Sequence, residues 1–197
     1  SIFPRKGVDT LVAAWHAVAG QYPRARLILV GSRHEDQAKH QPFRDRVDHL
    51  VATSPAPERV TFTVAVQNVE EYLRAADLFV FPSEREGMPN VVPEAMATGL
   101  PCILTPFHGL PEEFGEPGRE YRLVPRQAEA LSEAILDLLG NQEAREMLGK
   151  RARVWAQQQM DVEKSLDRFA ALYRELASKY RVPRERQAER ILGRRLR

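Results

Sequence analysis

Only one of the 197 residues, Cys102, is a cysteine, which excludes an internal disulfide and with it the small secreted scaffolds held together by bridges. Cys102 lies in the apolar run 100–104, where a buried small hydrophobe is the ordinary role, and a reducing compartment, the cytoplasm, fits best. No apolar run approaches the roughly 18 to 20 residues that a membrane span requires. The sequence opens at Ser1-Ile2-Phe3-Pro4, with neither Met nor a basic and apolar leader pattern, so its start is expected to be cut. No G-x-G-x-x-G follows any strand-like segment, and only Gly31 follows the run 27–30, which sets aside a dinucleotide oxidoreductase. His16, His34, His40, His49 and His108 show no H-x-x-x-H spacing and no Cys partnership, so no metal site is expected. Charge of one sign is also lacking: 29 Lys and Arg face 27 Asp and Glu, a net +2, which argues against bulk nucleic acid as the main partner. Repeats of fixed period and low-complexity linkers are absent too.

What is present is a folding composition, 43% hydrophobic and 28% charged, in which short apolar runs alternate with helical patterns. Strands are expected at Arg26–Val30, Arg59–Val64, Asp77–Phe81, Pro101–Thr105 and Tyr121–Val124, and their consecutive apolar residues predict strands covered on both faces. Between them, periodicity predicts helices at Val8–Gln21, at Phe43–Thr53, after an Asn68 N-cap with Glu71 three residues on, and at Val91–Thr98 before Gly99. After Pro125 only helices are expected: 127–139 stopped by Gly140, 141–159 and 161–180. The fold class is therefore α/β, a Rossmann-like parallel sheet flanked by helices with a helical C-terminal cover. One domain is expected over 1–180, followed by a basic tail at 181–197, helical or disordered.

In an open parallel sheet, ligands bind beyond the carboxyl ends of the strands. The loop after Phe81 stands out, since it runs from Pro82-Ser83 through Glu86-Gly87-Met88-Pro89-Asn90 into the helix Val91–Thr98. Pro93 is tolerable there only in the helix's first turn, where its missing N–H costs nothing. That N-terminus offers N–H groups and partial positive charge, a natural seat for phosphate. Glu86 and Glu94 bracket it with E-x7-E spacing. Carboxylates beside a phosphate are unfavourable unless they bind something else, and the hydroxyls of a sugar and a ribose are the obvious targets. Taken in isolation, such a pair would read as a loop acid and a first-turn acid.

The pair is not isolated. Lys6-Gly7, Val30-Gly31, the run 76–83, the run 86–101 and Gly109-Leu110-Pro111-Glu112 occur in an order that resembles the C-terminal domain of family-four (group 1) retaining glycosyltransferases. The resemblance covers roughly Lys6 to Tyr180. It implies the GT-B architecture, two Rossmann-like domains across a cleft, with this chain as the half that holds a nucleotide-diphosphate sugar. On that resemblance, Glu94 would bind the ribose hydroxyls and Glu86 those of the transferred sugar. Gly87, Met88, Pro89, Asn90 and Val91 would line the sugar and diphosphate, and Lys6 would neutralise the diphosphate leaving group. Ser83 and Asp77 also match, with structural roles expected. No cofactor or metal is implied.

Three departures accompany the match. The family's Arg six residues before the Lys would fall just before Ser1, and Val64 and Glu120-Tyr121 stand where Gly and Asn-Gly are common. The acceptor, a glycan or lipid-linked sugar, would be bound by an N-terminal domain outside this sequence, so little transfer is expected from the chain alone. The helix 161–180 carries an apolar stripe, Leu166, Phe169, Leu172, Tyr173 and Leu176, whose exposure would favour self-association. The tail from Arg181 holds seven Arg against Glu185 and Glu189, a net +5 that leaves −3 for the rest. It is a candidate peripheral contact with the inner face of an anionic membrane, against the plainer reading of a solvated tail. The alternative function is a non-catalytic module that binds a nucleotide or sugar nucleotide.

Overall fold

The computed structural model describes residues 3–33, 38–87 and 89–180. The chain divides into two compact units, the first ending at Gln159 and the second starting at Met160. The first unit opens with a 3-10 turn, Pro4–Lys6, and continues α1 (Val8–Gln21), β1 (Leu27–Leu29), α2 (Gln41–Ala52), β2 (Val60–Phe62), α3 (Val69–Ala75), β3 (Phe79–Phe81), α4 (Val91–Thr98), β4 (Cys102–Leu104), β5 (Arg122–Leu123), α5 (Ala128–Gly140) and α6 (Gln142–Gln159). All pairing between strands is parallel: β1 lies beside β2, and β3-β4-β5 form a second ladder, with Phe79 opposite Cys102 and Ile103 opposite Arg122. The strands are shorter than the apolar runs that announce them. Burial extends past the pairing, because the chain leaves the ladder at both ends while its backbone still bonds the neighbouring run, as Phe79 N–H does to the Pro101 carbonyl and Thr105 N–H to Phe81.

The period of two along β4 divides the interior into two cores. Ile103 packs into the core built with α1 and α5, around Val12, Trp15, Val18, Leu131 and Leu138. Cys102 and Leu104 point to the other face, where Val92, Ala95 and Met96 of α4 meet Ala152 and Ala156 of α6. All three β4 side chains are fully buried, as expected for a strand with helices on both sides. The β1–β2 ladder departs from that expectation: Ile28 is 50% exposed and Thr61 is also exposed, so one face of this pair is open.

Close approach of α4 and α6 rests on Gly149, where a Cβ would overlap the Gly99 carbonyl oxygen. Gly99 itself, at φ 87°, closes α4 in the left-handed conformation, and its N–H bonds back to Met96. Two other helix ends differ from the sequence reading. Asn68 makes no side-chain cap to the backbone; its amide donates instead to the Glu71 carboxylate at 2.6 Å. Gly140 is the last residue of α5 rather than its stop, and Asn141 serves the next helix, its Oδ1 accepting from Ala144 N–H at 2.9 Å.

The second unit contains α7 (Val162–Lys179), whose N-cap Asp161 accepts from the N–H groups of Glu163 and Lys164. No α7 residue is buried, and Leu166, Phe169, Leu172, Tyr173 and Leu176 are each at least 40% exposed. The basic tail at 181–197, with any membrane contact it makes, lies outside the described residues, as does Met88. No helix among the described residues is long and apolar enough to cross a membrane.

Cys102 is buried in the sheet, and desolvation pushes its thiol up to about 12. Alkylation at pH 8 is therefore expected to be undetectable in the folded chain and rapid in denaturant, read by mass spectrometry. Labelling of the native chain at the rate of a free thiol would contradict the packing of β4.

Candidate functional site

The site forms where the chain leaves β3 on its carboxyl side. Pro82 and Ser83 continue from the strand as buried residues, and the loop then turns outward through exposed Glu84 and Arg85 before Glu86 comes back in. Two neighbours hold it. On one side the 3-10 turn Pro4–Lys6 docks through its carbonyl at Arg5, which accepts from Glu84 N–H at 2.8 Å and lies 3.1 Å from the Ser83 hydroxyl. On the other side, the segment after β4 pairs with the loop: Glu86 N–H donates to His108 at 3.0 Å, and His108 N–H to Glu84 at 2.8 Å.

Both neighbours are tied by glycine. Gly7, at φ 64°, follows the 3-10 turn so closely that a Cβ would overlap the Pro82 carbonyl oxygen. Gly109, at φ 102°, leaves no room for a Cβ against the Glu86 carbonyl oxygen. Left-handed φ and backbone contact coincide at each position, so no other residue fits without displacement. Gly87 is different: its φ is not left-handed, and a Cβ there would meet nothing within 4 Å. Packing does not require that glycine, which leaves bare backbone facing outward at the loop's tip.

This framework brings Lys6 and Glu86, 80 residues apart in sequence, into a 2.7 Å ion pair. The Glu86 side chain is only 8% exposed and that of Lys6 24%; the ammonium also sits 5.8 Å from the centre of the Phe81 ring. Burial by itself would raise the Glu86 carboxyl, but hydrogen bonds from Lys6 and Ser83, with the charges of Lys6 and Arg5, outweigh it and hold the group below the usual carboxylate value. The unfolded chain therefore takes up this proton first as pH falls. The pair's contribution is complete above the ordinary value of 4.5 and is lost as pH drops through the lower folded value. The midpoint difference between wild type and Glu86→Gln should accordingly shrink from pH 7 to pH 3 in a melting series. A constant difference would show that the charge of Glu86 contributes nothing to stability.

Glu94 occupies the first turn of α4, exposed, with no ion pair or side-chain hydrogen bond among the described residues. Pro93 precedes it at the third helical position, so its missing N–H lies among those the helix leaves unused. Asn90 is the N-cap and is exposed, whereas the Val91 side chain packs against the α4–α6 core, leaving its backbone as the part available to a ligand. Pro89 is partly buried, and its carbonyl accepts from Val92 N–H. Thus Lys6 meets the loop that holds Glu86 and Gly87, and that loop leads into the helix that carries Glu94. Ser83, expected only in a structural role, places its hydroxyl 2.5 Å from Glu86 Oε1. The signal was its place three residues before Glu86, inside the same motif.

Of the departures, Glu120 and Tyr121 are both buried and structural: the Glu120 carboxylate accepts from Glu116 N–H, and Tyr121 packs near Phe114. Val64 is 78% exposed just after β2. His16 bonds the Leu50 carbonyl at 2.7 Å, and among the described residues no cluster of His, Cys, Asp or Glu could hold a metal ion.

Parallel strands between helices, with the start of α4 and two carboxylates beyond their carboxyl ends, define a Rossmann-like α/β domain. The chain belongs to the glycosyl transferases group 1 family, whose model matches residues 1–155. It is 29% identical over 168 residues to the N-acetyl-alpha-D-glucosaminyl L-malate synthase of Bacillus anthracis, covering 85% of this chain and 42% of that protein. Among solved structures, the sucrose-phosphate synthase of Thermosynechococcus elongatus superimposes with a TM-score of 0.77 at 34% identity, over 89% of this chain and 43% of that one. Anabaena HepE in complex with UDP gives 0.78 at 23% identity, over 88% and 46%. The C-terminal domain of a group 1 protein, LpcC of Francisella tularensis, shares the fold with a TM-score of 0.74 at 18% identity, over 82% of this chain and 83% of that one. The full-length relatives are thus matched over less than half their length, and the architecture is that of one half of a GT-B protein.

Proposed function

We propose that this chain is the donor-binding half of a retaining glycosyltransferase that moves a sugar from a nucleotide-diphosphate sugar to an acceptor. The observation that carries the reading is the Lys6–Glu86 contact at the mouth of the loop leading to α4. A cation and a hydroxyl-binding carboxylate stand together there, with Glu94 eight residues on in the first turn of α4. In this reading Glu94 holds the ribose hydroxyls, Glu86 a hydroxyl of the transferred sugar, and the backbone from Gly87 to Val91 the diphosphate region. Lys6 has three N–H donors and uses one on Glu86, which leaves two for the leaving diphosphate as its charge develops. Charge neutralisation is assigned to Lys6 and the α4 N-terminus rather than to a metal. Support also comes from HepE, the fold neighbour solved with UDP and with UDP-glucose.

The acceptor, a glycan or a lipid-linked sugar, belongs in this proposal to an N-terminal domain. The exposed apolar side of α7 supports self-association of the chain without that partner. A cytoplasmic location, with the basic tail at the inner membrane face, completes the reading.

The test is a thermal-shift panel with UDP, GDP and ADP. A nucleotide at about a hundred times its dissociation constant adds roughly 2.7 kcal/mol, which in a chain of this size raises the midpoint by several degrees. A rise with one base is the expected result and names the nucleotide. No rise with any of them overturns the reading for this chain.

A further inference from the structure

Ser83 is wholly buried at the start of the loop that carries Glu86. The anchoring of this residue is done by its backbone: the Ser83 carbonyl accepts from the Thr105 hydroxyl at 2.9 Å, and Thr105 is itself fully buried at the end of β4. The Ser83 hydroxyl has a single proton and two acceptors in range, the Arg5 carbonyl at 3.1 Å and Glu86 Oε1 at 2.5 Å. The shorter, charge-assisted contact takes it. Lys6 Nζ reaches the same oxygen, Oε1, at 2.7 Å. The carboxylate is therefore gripped on one oxygen from two sides, and Oε2 has no hydrogen-bond partner among the described residues.

We propose that Ser83 is a positioning residue: it fixes the Glu86 carboxylate so that Oε2 is presented to a hydroxyl of the donor's sugar, and it thereby sets the preference for a sugar nucleotide over the bare nucleotide. The inference rests on the donor-binding reading above. The physical reason for a second clamp lies in the first. Lys6 is a flexible ammonium whose two remaining N–H donors are drawn to the diphosphate when donor binds, so by itself it holds Glu86 less rigidly. Ser83 sits on a short side chain at a fixed strand end, carries no charge for the diphosphate to attract, and keeps Oε1 occupied throughout. Glu86 then enters the complex already oriented, and the sugar hydroxyl does not have to order it.

The experiment is calorimetric titration of the chain with UDP and UDP-glucose, and with GDP and GDP-mannose, for wild type, Ser83→Ala, Ser83→Thr, Glu86→Ala and the Ser83→Ala/Glu86→Ala double variant. Ser83→Ala is expected to leave the dissociation constant of the bare nucleotide within about twofold and to weaken its sugar conjugate on the order of tenfold, the size of one charge-assisted hydrogen bond. Adding it to Glu86→Ala should cost nothing more, because a residue that acts through another has no effect once that other is gone. Ser83→Thr keeps the hydroxyl and should retain part of the preference. Equal weakening of nucleotide and conjugate, or additive losses in the double variant, would overturn the proposal while leaving the donor site standing. Wild type that binds neither nucleotide nor conjugate overturns the donor reading itself, and the role of Ser83 with it.

Discussion

Glu94→Ala is expected to abolish the thermal shift that a nucleotide produces at concentrations saturating for wild type. The carboxylate stands in the first turn of α4, exposed and without a partner among the described residues, so the fold gains little from it. A first-turn acid stabilises its helix by about 0.3–1 kcal/mol, and its loss should lower the midpoint of the free chain by no more than a few degrees. Held against two adjacent ribose hydroxyls, the same group makes charge-assisted hydrogen bonds of roughly 1.5–3 kcal/mol each. Losing both weakens nucleotide binding on the order of a hundredfold or more. Midpoint with and without nucleotide separates the two roles in one experiment. If the variant kept its nucleotide shift, Glu94 would be reduced to a helix-dipole acid, and the ribose contact would have to be sought elsewhere along the sheet edge.

The second large effect is expected at Gly7. Alanine there faces two penalties together, a left-handed φ of 64° and a Cβ driven into the Pro82 carbonyl. The first is worth roughly 1–2 kcal/mol and the second roughly 1–3 kcal/mol, so the midpoint should fall by several degrees or more. The damage should also be directional. Relief of the overlap moves the Pro4–Lys6 turn away from the loop, separating Arg5 from Ser83 and Glu84, and Lys6 from Glu86. Sugar-conjugate binding should therefore fail even at temperatures where the chain is folded. Gly20→Ala is the matched control: that glycine lies within α1, a Cβ there would meet nothing within 4 Å, and the gain in helix propensity should leave stability unchanged or raised by about 1 kcal/mol. A Gly7→Ala chain that melted and bound as wild type does would show that the turn and the loop are not mechanically joined.

Much of this architecture could be read from the residues in order. The helices at Val8–Gln21 and Val91–Thr98 appear with the bounds that periodicity, Pro93 and Gly99 set, because amphipathic spacing and end residues act within a few positions of one another. Strand centres were equally legible from runs such as 102–104, where unbroken apolarity reflects helices on both faces. The open face of β1 was not: Ile28 looks like its neighbours in the sequence, and what lies beyond it depends on the layers above and below the sheet. Asn68 shows the same limit at short range, since a capping pattern specifies two groups within reach of each other but not which of several bonds they form.

For the candidate site, the sequence by itself determined the residue types: a helix start with Pro93 in its first turn, two carboxylates with E-x7-E spacing, and a Lys-Gly pair whose order along the chain matches a glycosyltransferase family. Those features are local or sequential, and residue identity suffices to state them. Only the tertiary structure decided which groups touch. Lys6 meets Glu86 across 80 residues, Ser83 takes the same carboxylate oxygen, and Gly7 and Gly109 seat their segments on the loop's backbone. Contacts of that kind are made by strand order and by the direction in which each chain segment leaves the sheet. Packing of the whole unit fixes both, and no window of sequence contains them.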